Sequence, residues 1–529
     1  MLSQAYRLRV HFELRATVEW ATVTSDKNSS GQNPAIDTHD LRQVRLEKRA
    51  ELLESGREAY PVGVNLTHSL LQVRDAYEHL EAGEETDDVV TVAGRVVFAR
   101  NTGKLCFATL QESGPDGRAV RLQAMISLAN VGEESLADWK KLTDLGDHVA
   151  VSGRVISSRR GELSIMVTEW TMASKAIRPM PVLHADLNDE TRTRQRYADL
   201  MVRDEAREMV YRRDAITRSV RATLHGHGYV EVETPMLQLV HGGASARPFQ
   251  THLNAFDQGM TLRIATELYL KRTVVGGVPR VFEIGRIFRN EGVDSTHSPE
   301  FTTLESYEAY ADQFVMAERM QEIILNAADA AGAGRVLETS KGTIDLGGEW
   351  AWLSVYPGLS AAVGVDITPE TEVDVLRGVA EKHEVKFDPK WDAQKLVIEL
   401  FGEIVEPTLI NPTFVYDYPP AAQPLARPHR SEPGVIEAWD LIIGGMERGT
   451  AFSELIDPVI QRERLTEQSK LAAGGDDEAM QLDEDFLRAL EYGAPPMGGI
   501  GLGIDRLVML FTDVGIRESI LYPLLKPEA

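Results

Sequence analysis

The stretch from Arg280 to Asp312 constrains the fold more than any other part of the 529 residues. Val281-Phe282-Glu283-Ile284 alternates apolar and polar side chains and reads as a short strand. Phe288-Arg289-Asn290-Glu291-Gly292 then sets a cation and a carboxylate two apart before a chain-reversing glycine. A polar loop from Asp294 to Ser298 follows, and Pro299-Glu300-Phe301 opens a second strand that ends in Glu305 and Tyr307. Residues two apart on a strand share a face, so an antiparallel pair would aim Arg289, Glu291, His297, Phe301, Glu305 and Tyr307 into one shallow site. A guanidinium clamps phosphate, an aromatic ring stacks on a base, and carboxylates take amines. The chemistry suggested is nucleotide activation of something cationic.

This pattern resembles motif 2 of class II aminoacyl-tRNA synthetases, in the form used by bacterial-type lysyl-tRNA synthetases. The resemblance runs from about Arg42 to Pro527. It implies an α+β fold: an N-terminal OB-fold β-barrel, then a class II catalytic domain of antiparallel sheet flanked by helices. It also implies ATP and L-lysine as substrates, Mg²⁺ as cofactor, tRNA(Lys) as partner and a homodimer. The bland alternative for the motif alone is an ordinary hairpin with charged loop residues.

Length requires two domains or more. The formal charge of −25 argues against a protein that coats nucleic acid indiscriminately, although Arg42 to Arg49 is locally basic. A single cysteine, Cys106, excludes an intrachain disulfide and any multi-cysteine zinc site, which fits a reducing cytosol. No apolar run reaches the roughly 20 residues that span a bilayer. Charges at Arg7, Arg9, Glu13 and Arg15 interrupt any signal-peptide core. A cytoplasmic location is expected. Residues 1–40 read as a disordered tail, with translation expected to start near Val23.

Residues 41–180 are expected to form a helix and the barrel. Leu41, Val44, Leu52 and Leu53 pattern the helix, whose basic face suits RNA phosphates or plain solvent equally. About five short strands and a helical insert at Glu133–Leu142 suggest a Greek-key barrel that binds single-stranded bases. By resemblance, Arg95, Phe107, Gln123 and Glu162 match the family's anticodon contacts. For Phe107 a core role is the plain alternative.

Residues 181–529 are expected to form the catalytic domain, with a helical insertion at about 313–410. A helix from Glu205 to Leu224, a strand from Val230 and the closing Pro235 resemble motif 1, which forms much of the dimer interface in the family. His225 and His227 lack neighbours at ligand spacing and read as turn residues. Gly242 to Phe249 resembles the glycine-rich loop before the substrate site. Glu267 opens a helix, where the dipole favours a carboxylate, and Thr266 stands as its N-cap where the family has proline.

Asp440, Glu447 and Glu454 are spaced by seven; glycines at 444, 445 and 449 favour strands with a turn over one helix. By resemblance, Asp440 and Glu447 match magnesium ligands and Glu454 a carboxylate near the substrate amine. Thr450 stands where the family often has Asn. Gly498 to Leu507 resembles motif 3, with Arg506 at the start of its helix. The resemblance therefore assigns Arg289, Glu291 and Arg506 to catalysis. It gives ATP to Arg289, His297, Phe301, Glu447 and Arg506, and lysine to Glu267, Glu305, Tyr307, Thr450 and Glu454. Aspartyl- or asparaginyl-tRNA synthetases share the motif order, but an aspartate site needs a cation facing the side chain. Other readings are a lysine-activating paralogue with a non-tRNA acceptor, a lysyl-lipid synthase, which needs membrane spans, and a non-catalytic RNA-binding module.

Overall fold

The computed structural model describes residues 38–181 and 187–527. The expected tail, up to residue 37, and the expected start near Val23 lie outside the described residues. The first helix runs Thr38–Glu54, so it begins three residues inside the range read as tail. Its apolar pattern misleads: Leu41, Val44 and Leu53 are exposed, and Leu52 alone of the four is buried. The buried cation is Arg45, whose guanidinium donates to the carbonyls of Leu145, Ala176 and Arg178 at 3.0–3.2 Å. Lys48 pairs with Asp144 at 2.6 Å. Part of the basic face is thus spent on holding the helix to the barrel.

Five strands close into the barrel: Glu85–Asn101, Leu105–Ser113, Ala119–Ser127, His148–Ser157 and Leu163–Ser174. Alternation puts Cys106, Ala108, Leu110, Leu122, Ala124 and Ile126 inside, as period-two patterning requires. The insert helix Glu133–Leu142 buries Leu136, Trp139 and Leu142, and Trp139 meets Trp170 edge to face at 5.2 Å. Gly153 lies so close to the Met166 carbonyl of the neighbouring strand that a Cβ there would collide with backbone.

The second part is built on an eight-stranded sheet. Its strands lie in the order Ala351–Ser354, Thr413–Tyr416, Ala438–Ile442, Glu447–Ser453, Met497–Gly503, Glu300–Ala309, Arg280–Phe288, Val230–Glu231. Only the two outermost pairs are parallel. Register decides what each face carries. Glu283 stands opposite Glu305, Glu305 opposite Gly501, Gly501 opposite Thr450, and Thr450 opposite Asp440. One row across five strands therefore brings polar groups from four of them together on one face, with Gly501 leaving space in the middle. The residues between them, Phe282, Leu304, Leu502, Ala451 and Leu441, belong to the core on the other face. There the helices Asp204–Gly226, Gln313–Ala330 and Ile504–Thr512 supply Ile216, Val220, Met320, Ile323, Ile324 and Leu507.

The stretch read as a helical insertion is mixed. Its first helix, Gln313–Ala330, packs in the main core. A hairpin (Val336–Thr339, Gly342–Asp345) follows, and Ala351–Ser354 forms the sheet edge. The helices Val355–Val363, Val373–Lys382 and Ala393–Ile404 then pack as a separate cluster. His225 lies hydrogen-bonded to the Tyr229 carbonyl, and His227 faces Glu322 at 2.7 Å. Among the described residues no three His, Cys, Asp or Glu side chains converge to hold a metal, and no helix is long and apolar enough to cross a membrane.

Candidate active site

A cavity of about 350 Å³ opens on the polar face of the sheet. Arg289, Glu291, His297, Phe301, Glu305 and Tyr307 of the hairpin all line it. Glu267, Asp440, Glu447, Thr450, Glu454 and Arg506 line it too, so twelve positions scattered over 240 residues of sequence share one hollow. Its floor is the glycine strand Met497–Gly503. A Cβ on Gly499 would collide with Glu454 and the Tyr307 ring, so absence of a side chain is what lets these two reach the cavity.

At one end the guanidinium of Arg289 lies 5.4 Å from the centroid of the Phe301 ring. Its Nε donates to the Ile264 carbonyl at 3.3 Å, and burial pulls its pKa below the ordinary value. This half-buried guanidinium has the like charge of Arg506 near it as well as Glu291, Glu305 and Glu447, and an anionic ligand between the two arginines would relieve their repulsion. His297 sits in the exposed loop, its Nδ1 held 2.9 Å from Asp294 Oδ2. Asp294 also accepts the N–H groups of Thr296 and His297, and these bonds hold its carboxyl far below the usual range. In the sequence Asp294 reads only as loop, yet it fixes the loop's shape.

At the other end three buried carboxylates converge. Glu305 Oε1 accepts the Thr266 N–H at 3.1 Å, while Oε2 is buried without a hydrogen-bond partner. Burial, then the charge of Glu267, push its pKa up to about 7. Glu454 is pushed up to about 8, again chiefly by burial. The Tyr307 phenol, buried among them, is held well above its ordinary range. Thr266 occupies the N-cap position of the helix Glu267–Val275, but its side chain makes no capping bond; its backbone serves Glu305 instead. A further residue that sequence reasoning missed is Lys271, fully buried behind this wall and paired with both Glu267 and Glu454. Its spacing of four after Glu267 on one helix was the available signal. Glu283, in the same row, is a structural carboxylate: Arg263 binds it at 2.5 Å.

Asp440 lies at the far end of the polar row, beyond Thr450; it is half-buried, and desolvation and then the charge of Glu447 push it up to about 7. Glu447 Oε2 is 3.3 Å from Arg506, whose Nη1 also donates to the Glu447 carbonyl at 3.0 Å. Two carboxylates that repel each other are a natural seat for a divalent cation. Thr450 turns its hydroxyl to the Trp439 carbonyl at 3.2 Å, so that group is already engaged.

Comparison with known proteins settles the class. Residues 188–526 match the family model described as "tRNA synthetases class II (D, K and N)", and residues 90–173 match an OB-fold nucleic acid binding domain. A lysine–tRNA ligase from Kineococcus radiotolerans is 56% identical over 493 residues, covering 93% of this chain and 98% of that protein. One from Mycobacterium tuberculosis (strain ATCC 25618 / H37Rv) is 51% identical over 507 residues, covering 94% and 100%. The chain belongs to the lysine–tRNA ligase family of class II synthetases. A third relative, the lysylphosphatidylglycerol biosynthesis bifunctional protein LysX of Mycobacterium ulcerans, is 46% identical over 505 residues, but the match covers only 44% of its length.

The barrel of this synthetase presents an open face that bears on the expected anticodon contacts. Phe107 stands directly opposite Met125 and, on its other side, Arg100; Gln123 stands opposite Thr109. Phe107 is half-buried and outward-facing rather than in the core. Gln123 Oε1 accepts from Ser164 at 3.0 Å. Glu162 pairs with Arg74 at 3.2 Å at the sheet's edge. Arg95 departs from the group: its guanidinium donates to the Gly146 carbonyl at 2.9 Å, toward Asp147. Arg100, not singled out from sequence, is the arginine across from Phe107.

Proposed function

We propose that this synthetase activates L-lysine with ATP to lysyl-adenylate and then transfers lysine to the 3′ end of tRNA(Lys). The observation that carries the reading is the single cavity lined both by the Arg289 guanidinium and by the carboxylates of Glu267, Glu305 and Glu454. ATP lies bent over the sheet with adenine on Phe301, whose ring Arg289 already stacks from one side. Arg289 holds the α-phosphate, and His297 and Arg506 take the β- and γ-phosphates. Asp440 and Glu447 fit Mg²⁺, because hard oxygen ligands suit it and nucleotide phosphates complete its shell. When bound, it neutralises phosphate charge.

The lysine carboxylate attacks the α-phosphorus in line, an oxygen–phosphorus bond forms, and pyrophosphate leaves. The terminal ribose hydroxyl of the tRNA then displaces AMP from the adenylate. Positioning and electrostatics supply most of the barrier lowering in such transfers; the carboxylate nucleophile of the first step has no proton to lose, and in the second the hydroxyl proton passes to the departing AMP phosphate. Glu267, Glu305, Glu454 and Tyr307 hold the amino acid, with Glu291 and Thr450 at the cavity wall. The barrel face at Phe107, Gln123 and Arg100 receives anticodon bases, with Glu162 at its edge. A homodimer formed through the Pro235 region and a cytoplasmic location complete the reading.

A second reading, lysine transfer to a non-tRNA acceptor, draws on the LysX relative. An amino-acid panel in ATP–pyrophosphate exchange, run beside tRNA charging, separates the two. Lysine-specific exchange together with charging of tRNA(Lys) is expected. Exchange without charging would favour the second reading, and exchange with another amino acid would remove both.

A further inference from the structure

Lys271 is 1% exposed and does not line the cavity, although its two partners do. Its Nζ lies 2.6 Å from Glu267 Oε1, one helical turn back, and pairs with Glu454 from the far end of the strand Glu447–Ser453. It also sits 5.9 Å from the centroid of the Tyr307 ring. The cation thus stands behind the carboxylate wall, on the side away from the ligand. In front of the wall, Glu305 Oε2 and Glu454 Oε1 are buried without hydrogen-bond partners among the described residues. Buried polar atoms left in this state point to an absent ligand group.

We propose that Lys271 is a positioning residue for amino-acid selection: lodged between Glu267 and Glu454, its ammonium holds both carboxylates in place and leaves the free oxygens of Glu305 and Glu454 to the ammonium of the incoming amino acid. The inference rests on the lysine reading given above. Its physical basis is that three desolvated carboxylates near enough to raise one another's pKa cannot all stay ionised without a cation. The charged and titratable groups facing the cluster are Glu305 and Tyr307 on one strand, with Arg289 beyond them. The strand Met497–Gly503 contributes only the uncharged Gly499. On the helix itself, Arg272 turns away to Asp483 and Asp485. Lys271 is therefore the one fixed cation inside the wall among the described residues.

The test is lysine-dependent ATP–pyrophosphate exchange from pH 6 to 9.5, which needs no tRNA. Lys271→Met is expected to raise the KM for lysine at least about tenfold at pH 7 while the KM for ATP changes less than about twofold. The acid limb of kcat/KM should move up by about one pH unit or more, since a lost opposite charge shifts a carboxylate by roughly that much. A loss equal at every pH, or no loss, overturns the proposal, because a merely structural lysine would not move the limb. Lys271→Met leaves buried carboxylates uncompensated and can fail to fold. Lys271→Met/Glu267→Gln removes both members of one pair, which folded proteins tolerate better. Compared with Glu267→Gln alone, its limb should again lie higher, and an unmoved limb overturns the proposal. Absence of lysine-dependent exchange in the parent protein would instead sink the functional reading.

Discussion

A carboxylate that must meet an ammonium in a dry pocket carries its cost into the empty protein. Glu305 and Glu454, raised to about 7 and about 8, hold protons that the unfolded chain has already released near neutral pH. Folded values above unfolded ones mean stability present at low pH and lost as pH climbs through 7 and 8. A bound ammonium takes over from those protons. Lysine should accordingly raise the melting temperature more at pH 8.5 than at pH 6, a difference that differential scanning fluorimetry reads directly; equal increments at both pH values would count against the pocket. Within the same pocket, Glu305→Gln should cut lysine-dependent exchange at least about tenfold, the equivalent of roughly 1.4 kcal/mol. An unchanged rate would discard the assignment. The sequence made Glu305 legible because strand alternation ties it to Tyr307 and Phe301. It left Lys271 obscure, because a lysine four residues after a glutamate is also the commonest kind of solvated helix pair. Only the fold reveals that this helix turns that face inward.

Elements were readable to the degree that their pattern was local. The hairpin and the barrel strands alternate over their own length, and the observed registers follow that alternation. The sheet edge Ala351–Ser354 was not readable, since it pairs in parallel with Thr413–Tyr416, about sixty residues away, and its four residues carry no pattern of their own. The first helix misled for a different reason: a long arginine stem can be buried when carbonyls receive its head, as those of Leu145, Ala176 and Arg178 do. Two predictions belong to this scale. Gly499→Ala sets a methyl group against Glu454 and the Tyr307 ring; overpacking of this kind typically costs about 1–3 kcal/mol. Steady-state kinetics should show the lysine KM rising by tenfold or so with the ATP KM nearly unchanged. In the barrel, Phe107→Ala should weaken tRNA charging through the tRNA KM by the equivalent of about 1–3 kcal/mol per lost stack. Pyrophosphate exchange in the same preparation should stay at the parent rate, and a fall in exchange would make Phe107 a folding residue instead.

At the scale of the whole molecule, the segment that follows the helix Asp204–Gly226 exposes more apolar side chain than a solitary surface has reason to. Leu239 is 65% exposed and Phe256 80%, with Val230, Met236 and Leu237 each near half. Single exposed leucines need no explanation, but five large apolar residues within 27 positions, bracketing Pro235, read as a surface that another subunit covers. The neighbouring strand Val230–Glu231 pairs beside Arg280–Phe288, whose end carries Arg289. Association there would stiffen the hairpin that holds the nucleotide, so assembly and activity should be coupled. Analytical ultracentrifugation at micromolar concentration should give a mass twice the chain's 58.7 kDa. Leu239→Glu, which sets a charge into that surface, should shift the mass toward 58.7 kDa and lower exchange activity in step with the monomer fraction. Since Leu239 lies outside the cavity, a variant that sediments as a monomer yet keeps full exchange would separate assembly from catalysis. A parent chain at 58.7 kDa would leave the exposed surface to another partner.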